Sequence, residues 1–230
     1  MGKELKEKKK DEVAVLGDED KGYGDNLSND DLLLPRVDLL QALSPVVVSG
    51  EKKPGQIINN ITQEDLGSPS IIPIYLTKNW IRWKPRNEGG GIIWRSNDPT
   101  DPRVIEETKW VNNEKPLATA YFNFLCLVEG EDVPIVLSFS MTSYQAGRKL
   151  FTLTKMTPGP IYSCKYKLSA VSKTNNFGTF FVFDVTKEGP ASEEDQAKAS
   201  DLKKMFAGKE LNFDSERTEK TSTNGLSDEF

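Results

Sequence analysis

Residues 117–128 read LATAYFNFLCLV and residues 133–141 read VPIVLSFSM, with EGED between them. Both apolar stretches are rich in aromatic and β-branched residues, and a short polar turn separates them. Two such stretches around a short turn predict a β-hairpin. We therefore expect a mainly β protein that contains this hairpin.

The same pattern continues on both sides of the hairpin. Strands are predicted at 71–76 and 80–83, after the glycines at 89–91, at 161–171, and from Gly178 onward. A helix is predicted from Thr142 or Ser143 to about Lys155, and a second one begins after Ser192 and ends at Gly208. Between strands, residues 96–116 are polar and carry three prolines, which indicates a long excursion.

Several strands, one helix before the last hairpin and an early excursion favour an OB-like five-stranded barrel, although a jelly roll or another β-sandwich stays open. Four parts follow along the chain: a disordered N-terminal arm (1–30), the OB-like domain (31–188), a C-terminal helix (189–208) and a flexible tail (209–230).

Charge divides the chain in the same way. The net charge is −5, yet residues 31–188 carry 18 basic and 16 acidic side chains, while both ends are acidic. All four tryptophans also lie in this middle part. An acidic total does not argue against a nucleic-acid partner, because the field at one face decides attraction.

Residue types exclude several classes of enzyme. The chain has no histidine, so imidazole-dependent hydrolysis and histidine-ligated zinc are excluded, and two cysteines are too few for a four-thiolate zinc site. The glycines at 89–91 lack the Gly-Lys-Ser/Thr of a phosphate-binding loop. No apolar run approaches the ~18 residues of a membrane span, and no secretory signal is evident. We expect a soluble, cytoplasmic protein that is not an enzyme and needs no cofactor or metal.

Aromatic residues alternate with cations at the end of the first long strand. In the strand at 80–83, Trp80 and Arg82 share one face, and Trp94-Arg95 repeats the pairing. Indoles stack on bases and cations bind phosphates, a combination typical of sequence-tolerant single-strand binding. The alternative is that any one tryptophan fills the core.

A long stretch without acids adds to the basic character. No Asp or Glu lies between Asp132 and Asp184, while six cations do. The strand at 161–168 puts Tyr166 on the core side and Lys165 and Lys167 outward. The predicted nucleic-acid contacts are Lys78, Trp80, Arg82, Lys84, Arg86, Trp94, Arg95, Arg148, Lys149, Lys165, Lys167, Lys173 and Phe177.

Four motifs stand out, LPRVDLLQ (34–41), KPGQ (53–56), WKPRNEGGG (83–91) and NFGTFFVF (176–183), and the last residues are LSDEF (226–230). Together they resemble a bacteriophage single-stranded DNA-binding protein. The resemblance implies an OB-fold that coats single-stranded DNA during phage replication and recombination in the host cytoplasm. It also implies that Asp228, Glu229 and Phe230 recruit replication proteins such as polymerase, helicase or primase. The tip is short, and Lys209, Arg217 and Lys220 dilute the tail's charge.

Two other classes of function stay open. One is a phage structural or assembly protein whose aromatics form core and interface. The other is a metal-dependent nuclease that uses Asp98, Asp101, Glu106 and Glu107, although these acids lie in the polar excursion without rigid strands. Oligomeric state, and the choice between DNA and RNA, are not encoded in a recognisable motif.

Overall fold

The computed structural model describes residues 33–206 apart from Asn113, Gly130, Asp132 and Phe177, with Arg86 described by its backbone alone. The predicted N-terminal arm, the tail at 209–230 with its tip, and Phe177 therefore lie outside the described residues. The strands are β1 Val37–Leu39, β2 Ile57–Asn59, β3 Ser70–Trp83, β4 Ile92–Ser96, β5 Ala118–Val128, β6 Ile135–Ser140, β7 Cys164–Asn175 and β8 Gly178–Pro190. The α-helices are α1 Pro45–Val48, α2 Pro102–Glu107, α3 Tyr144–Met156 and α4 Glu193–Phe206.

One antiparallel sheet of six strands dominates the fold, as the mainly β prediction requires. Its order is β6-β5-β3-β7-β8, and β4 pairs with β3. The 14-residue strand β3 pairs with β5 along most of its length. Its other edge is shared between β7, at Ser70 and Ile71, and β4, from Trp80 onward. The predicted hairpin is β5–β6, with Phe122 opposite Phe139.

The five-stranded barrel that the sequence predicts is not what the described residues form. They make a six-stranded sheet that does not close, because β6 and β8 do not pair with each other. Instead, the segment around β1 contacts both edge strands of this order, β6 and β8. Val136 N donates to Pro35 O at 2.8 Å on β6, and the Gln41 side chain makes two 2.9 Å hydrogen bonds with the Phe181 backbone on β8.

The sheet buries apolar side chains on both faces, because residues alternate across each strand. On one face, Phe124, Phe139 and Tyr166 are fully buried with the apolar side of α3. On the other face, α4 packs through Ala199 and Leu202 against Ile72, Ile74, Leu125 and Leu127.

Helix α3 lies close to its face because of a glycine. A Cβ at Gly147 would come within 2.7 Å of the Cβ of Phe139 and 3.1 Å of that of Phe122. Only a residue without a side chain fits at that approach. Gly147 therefore sets the depth at which α3 rests beside the aromatic side chains of β5 and β6.

Candidate nucleic-acid interface

Trp80 and Trp94 form a small core of their own. They are each 8% exposed and cluster with Val104 of α2 and with Ala118. The prolines of the excursion predict a loop, but α2 begins there at Pro102, and Asp101 caps it by accepting a hydrogen bond from Arg103 N at 2.9 Å. This burial favours the core alternative for both indoles, and their contact with bases stays a prediction.

The carboxylate of Glu107 accepts two hydrogen bonds at this cluster. One oxygen accepts a hydrogen bond from Arg82 Nη1 at 2.8 Å, and the other accepts one from Trp94 Nε1 at 3.0 Å. Arg103 lies over the Trp94 ring, 5.2 Å from its centroid. Arg82 is therefore engaged inside the protein, although its side chain stays 33% exposed.

Several cations of the acid-free stretch meet acids from elsewhere in the chain. Antiparallel pairing brings β7 and β8 together, and the turn after β5 lies close to the start of β7. The resulting pairs are Lys149–Asp184 at 2.8 Å, Lys165–Glu129 at 2.8 Å and Lys167–Glu188 at 3.9 Å. The hydrogen bond from Lys149 lowers the pKa of Asp184, and that from Lys165 lowers the pKa of Glu129. Exposed pairs like these are weak, so they reduce the field of the three lysines without removing it.

Lys78 lies among aromatic rings on the same sheet face as Trp80. Its Nζ is 4.9 Å from the ring centroid of Trp80, 5.4 Å from that of Phe122 and 5.9 Å from that of Tyr144. Aromatic faces attract cations. Lys78 thus lies between the tryptophan cluster under α2 and the first turn of α3.

One side of α3 alternates aromatic and basic side chains, and its first member, Tyr144, is partly buried against the core of the sheet. Tyr144, Arg148, Phe151 and Lys155 follow at intervals of four, three and four residues, which places them on one side of a helix. Phe122 joins this stripe from the sheet, with ring centroids 5.0 Å from Tyr144 and 6.1 Å from Phe151. Arg148 and Lys155 are exposed, Phe151 is 36% exposed, and Lys155 Nζ lies 5.9 Å from the Phe151 ring. We call these four side chains the α3 stripe.

Sequence reasoning found only part of the α3 stripe. It selected Arg148 but not Tyr144, Phe151 or Lys155. The Phe151 ring packs on that of Phe122 and is 36% exposed. The helical spacing was the available signal. Trp110 was also missed: its side chain is 68% exposed in the segment after α2.

The other predicted cations are spread over the surface. Lys84 is exposed in the glycine loop, where its backbone N–H donates to Gly91 O at 2.8 Å. Arg95 is half-buried on β4. Lys173 is exposed on β7, and its charge helps to lower the pKa of Asp184. Lys78 therefore lies near aromatic side chains through its ring contacts, Arg148 lies between Tyr144 and Phe151 on α3, and Arg82 lies in the tryptophan cluster.

The carboxylates considered for a metal are engaged locally. Asp98 accepts hydrogen bonds from Thr100, which lower its pKa, and Asp101 accepts from Arg103, which lowers its pKa strongly. Within the described residues, no group of three or more His, Cys, Asp or Glu side chains is arranged to hold a metal ion. Both cysteines, Cys126 and Cys164, are buried thiols, and burial raises the pKa of Cys126.

A broad antiparallel sheet with a helix on each face defines a mainly β protein. The family model of the Pam3 phage gp34-like protein matches residues 6–212, so the chain belongs to that family of phage proteins. No curated protein and no solved structure matches the chain. Within the described residues, no helix combines the length and apolar character needed to cross a bilayer.

Proposed function

We propose that this phage protein binds single-stranded DNA without sequence specificity during replication or recombination. The observation that carries the proposal is the α3 stripe, in which two aromatic rings alternate with two cations beside Lys78. Bases of any sequence stack on aromatic faces, and every nucleotide brings a phosphate to a nearby cation. Membership of a phage family is compatible with such a role.

The order of elements supports an open, OB-like arrangement as part of this proposal. In the strand series β3, β5, β6, β7 and β8, α3 lies between the third and fourth strands, as the sequence analysis expects. The long excursion falls between the first and second strands, and the β7–β8 turn joins the fourth and fifth. In OB-folds these two connections, with the face of strands two and three, hold oligonucleotides.

The mechanism is a binding equilibrium without a covalent step. Arg148, Lys155 and Lys78 neutralise phosphates, and the released counterions drive association. Phe151 and Tyr144 offer rings to successive bases, each worth ~1–3 kcal/mol when it stacks. The C-terminal tip, Asp228 to Phe230, is proposed to recruit replication proteins while the body holds DNA.

A titration of labelled oligo-dT tests the proposal. Phe151→Leu keeps an apolar side chain beside Phe122 but removes the ring, so affinity should fall by ~1–3 kcal/mol. Met156→Ala is the matched control, because Met156 is 76% exposed on the same helix but lies off the stripe. Equal affinities of the two variants, or no binding by the natural chain, would refute single-strand binding through α3.

A phage assembly protein is the second candidate, and one observation favours it. Trp110, Val111 and Leu117 are 68%, 57% and 61% exposed, and exposed apolar groups mark protein interfaces. An assembly protein would show no salt-sensitive affinity for oligo-dT. Repeating the titration with Mg²⁺ also tests for nuclease activity, which would appear as degradation of the strand.

A further inference from the structure

The surface beneath α2 combines the groups expected of a strand-binding site. Trp80 and Trp94 present two indoles, and Arg82 adds a guanidinium on the same face of the sheet. Lys78 borders this surface at 4.9 Å from the Trp80 ring, and it also lies 5.9 Å from the Tyr144 ring of the α3 stripe. The covered surface and the α3 stripe are therefore neighbours along one face.

The carboxylate of Glu107 accepts hydrogen bonds from the donors of this surface, as a phosphate would. Its two carboxylate oxygens accept separately, one from Arg82 Nη1 at 2.8 Å and one from Trp94 Nε1 at 3.0 Å. A phosphate also presents several anionic acceptor oxygens, and guanidinium donors match both groups. The side chain of Glu107 is only 15% exposed, so its charge sits directly on these donors.

The attachment of α2 to the sheet is slight. The helix has six residues, and of these only Val104 is buried. Ile105 is 49% exposed, and the capping side chain of Asp101 binds Arg103 of the same helix and one residue of β4, Ser96. A helix this short is unstable alone, so α2 depends on Val104, on Glu107, on the Arg103–Trp94 contact and on the Asp101–Ser96 hydrogen bond.

We propose that α2 is a displaceable cover over a second strand-binding surface, and that the Glu107 carboxylate holds the position taken by a phosphate of single-stranded nucleic acid. This inference rests on the proposed function. When a strand extends from the α3 stripe past Lys78, its phosphate replaces Glu107 at Arg82 and the Trp94 N–H. Its bases then stack on the two indoles that α2 had covered.

Two isosteric variants of the full-length chain test the cover. Glu107→Gln weakens the contacts with Arg82 and Trp94, whereas Glu106→Gln removes the same charge from an exposed neighbour on α2. Oligo-dT should bind Glu107→Gln several-fold more tightly than Glu106→Gln at equal ionic strength. Val104→Ala loosens α2 without changing charge, and it should also tighten binding relative to the natural chain.

The results distinguish the α2 cover from the proposed function. If Glu107→Gln and Glu106→Gln bind equally while Phe151→Leu still weakens binding, the cover is wrong and the proposed function stands. If neither the natural chain nor Glu107→Gln binds oligo-dT, both fail. Thermal melting shows whether Glu107→Gln is folded at the assay temperature; if it is not, unchanged affinity of Val104→Ala overturns the cover.

Discussion

For Trp80 and Trp94, the residue type alone does not decide whether the indole contacts a ligand or packs in the core. The sequence places Trp80 beside Arg82 on one strand face, which suits either a base or a core. The structure adds Val104 of α2, a contact that no local pattern encodes, and both indoles become 8% exposed. Because both indoles are buried, their packing contributes to the free energy of folding, whether or not they also contact a ligand.

Trp80→Ala should therefore destabilise the protein by ~3–5 kcal/mol, as for large-to-small changes in a core. Trp110→Ala is the control, because that indole is 68% exposed and its loss should leave the unfolding midpoint nearly unchanged. Urea unfolding measures both variants. Equal midpoints for the two would contradict the burial of Trp80.

Gly147→Ala should destabilise the protein although alanine favours helices. The added methyl would meet Phe139 Cβ at 2.7 Å, and overpacking costs ~1–3 kcal/mol, against a helical gain of roughly 0.5–1 kcal/mol. Gln145→Ala, at an exposed position of α3, supplies the comparison. A midpoint for Gly147→Ala at or above that of Gln145→Ala would show that α3 has room to move.

At the scale of elements, regular periodicity predicted the longer strands and helices but not β1, β2 or α2. The β5–β6 and β7–β8 hairpins and α3 follow from alternation and from helical spacing, and α4 begins at the expected cap, with Asp195 N donating to Ser192 Oγ at 3.0 Å. Helix α2 was not predicted, because prolines in a polar segment favour a loop. The ion pairs of Lys149, Lys165 and Lys167 were also not predicted, because their acids lie 35, 36 and 21 residues away in sequence and come close only in the folded sheet.

Asp184→Asn should strengthen the salt dependence of DNA binding. Releasing Lys149 from its 2.8 Å pair makes one more cation available on α3, which steepens the slope of log K against log salt by about 0.7 for a single strand. Asp201→Asn is the matched control, because it breaks the Lys204 pair on α4, across the sheet. The idea is wrong if both variants have the same slope.

The same pair gives an expected dependence of stability on pH. Lys149 lowers the pKa of Asp184 from 3.8, so the pair stabilises the fold above that pH and the contribution is lost as pH falls through the lowered pKa. Acid unfolding of Asp184→Asn should show a smaller loss of stability in this range than the natural chain.

For the whole molecule, the distribution of cations sets the expected salt dependence. Lys78, Lys84, Arg148, Lys155 and Lys173 make no ion pair with another described residue. If four to six cations engage phosphates, the slope for oligo-dT should be roughly −3 to −4. A titration at several salt concentrations measures it, with duplex DNA of equal length for comparison. A slope near zero, or equal affinity for duplex, would contradict the proposed function.

A chain ending at Gly225 should bind oligo-dT more tightly than the full chain at low salt. The deletion removes Asp228 and Glu229, which are expected to compete with phosphates for the same cations, and the shortened chain keeps a terminal carboxylate at Gly225. Screening over ~10 Å at 0.1 M salt makes the effect modest. Fluorescence anisotropy at low and moderate salt compares the two chains, and identical affinities at low salt would rule out competition by the tip.

The hydrogen bonds between Gln41 and Phe181 join positions 140 residues apart, and this separation has a consequence for synthesis on the ribosome. The N-terminal segment leaves the ribosome first, yet its partner on β8 is translated about 7–28 s later at 5–20 residues per second. Closing a loop of that length also costs entropy that grows with the logarithm of its length. The segment around β1 can contact β6 as soon as β6 is made, but its contact with β8 has to wait for that strand, so the two ends of the sheet are joined only then.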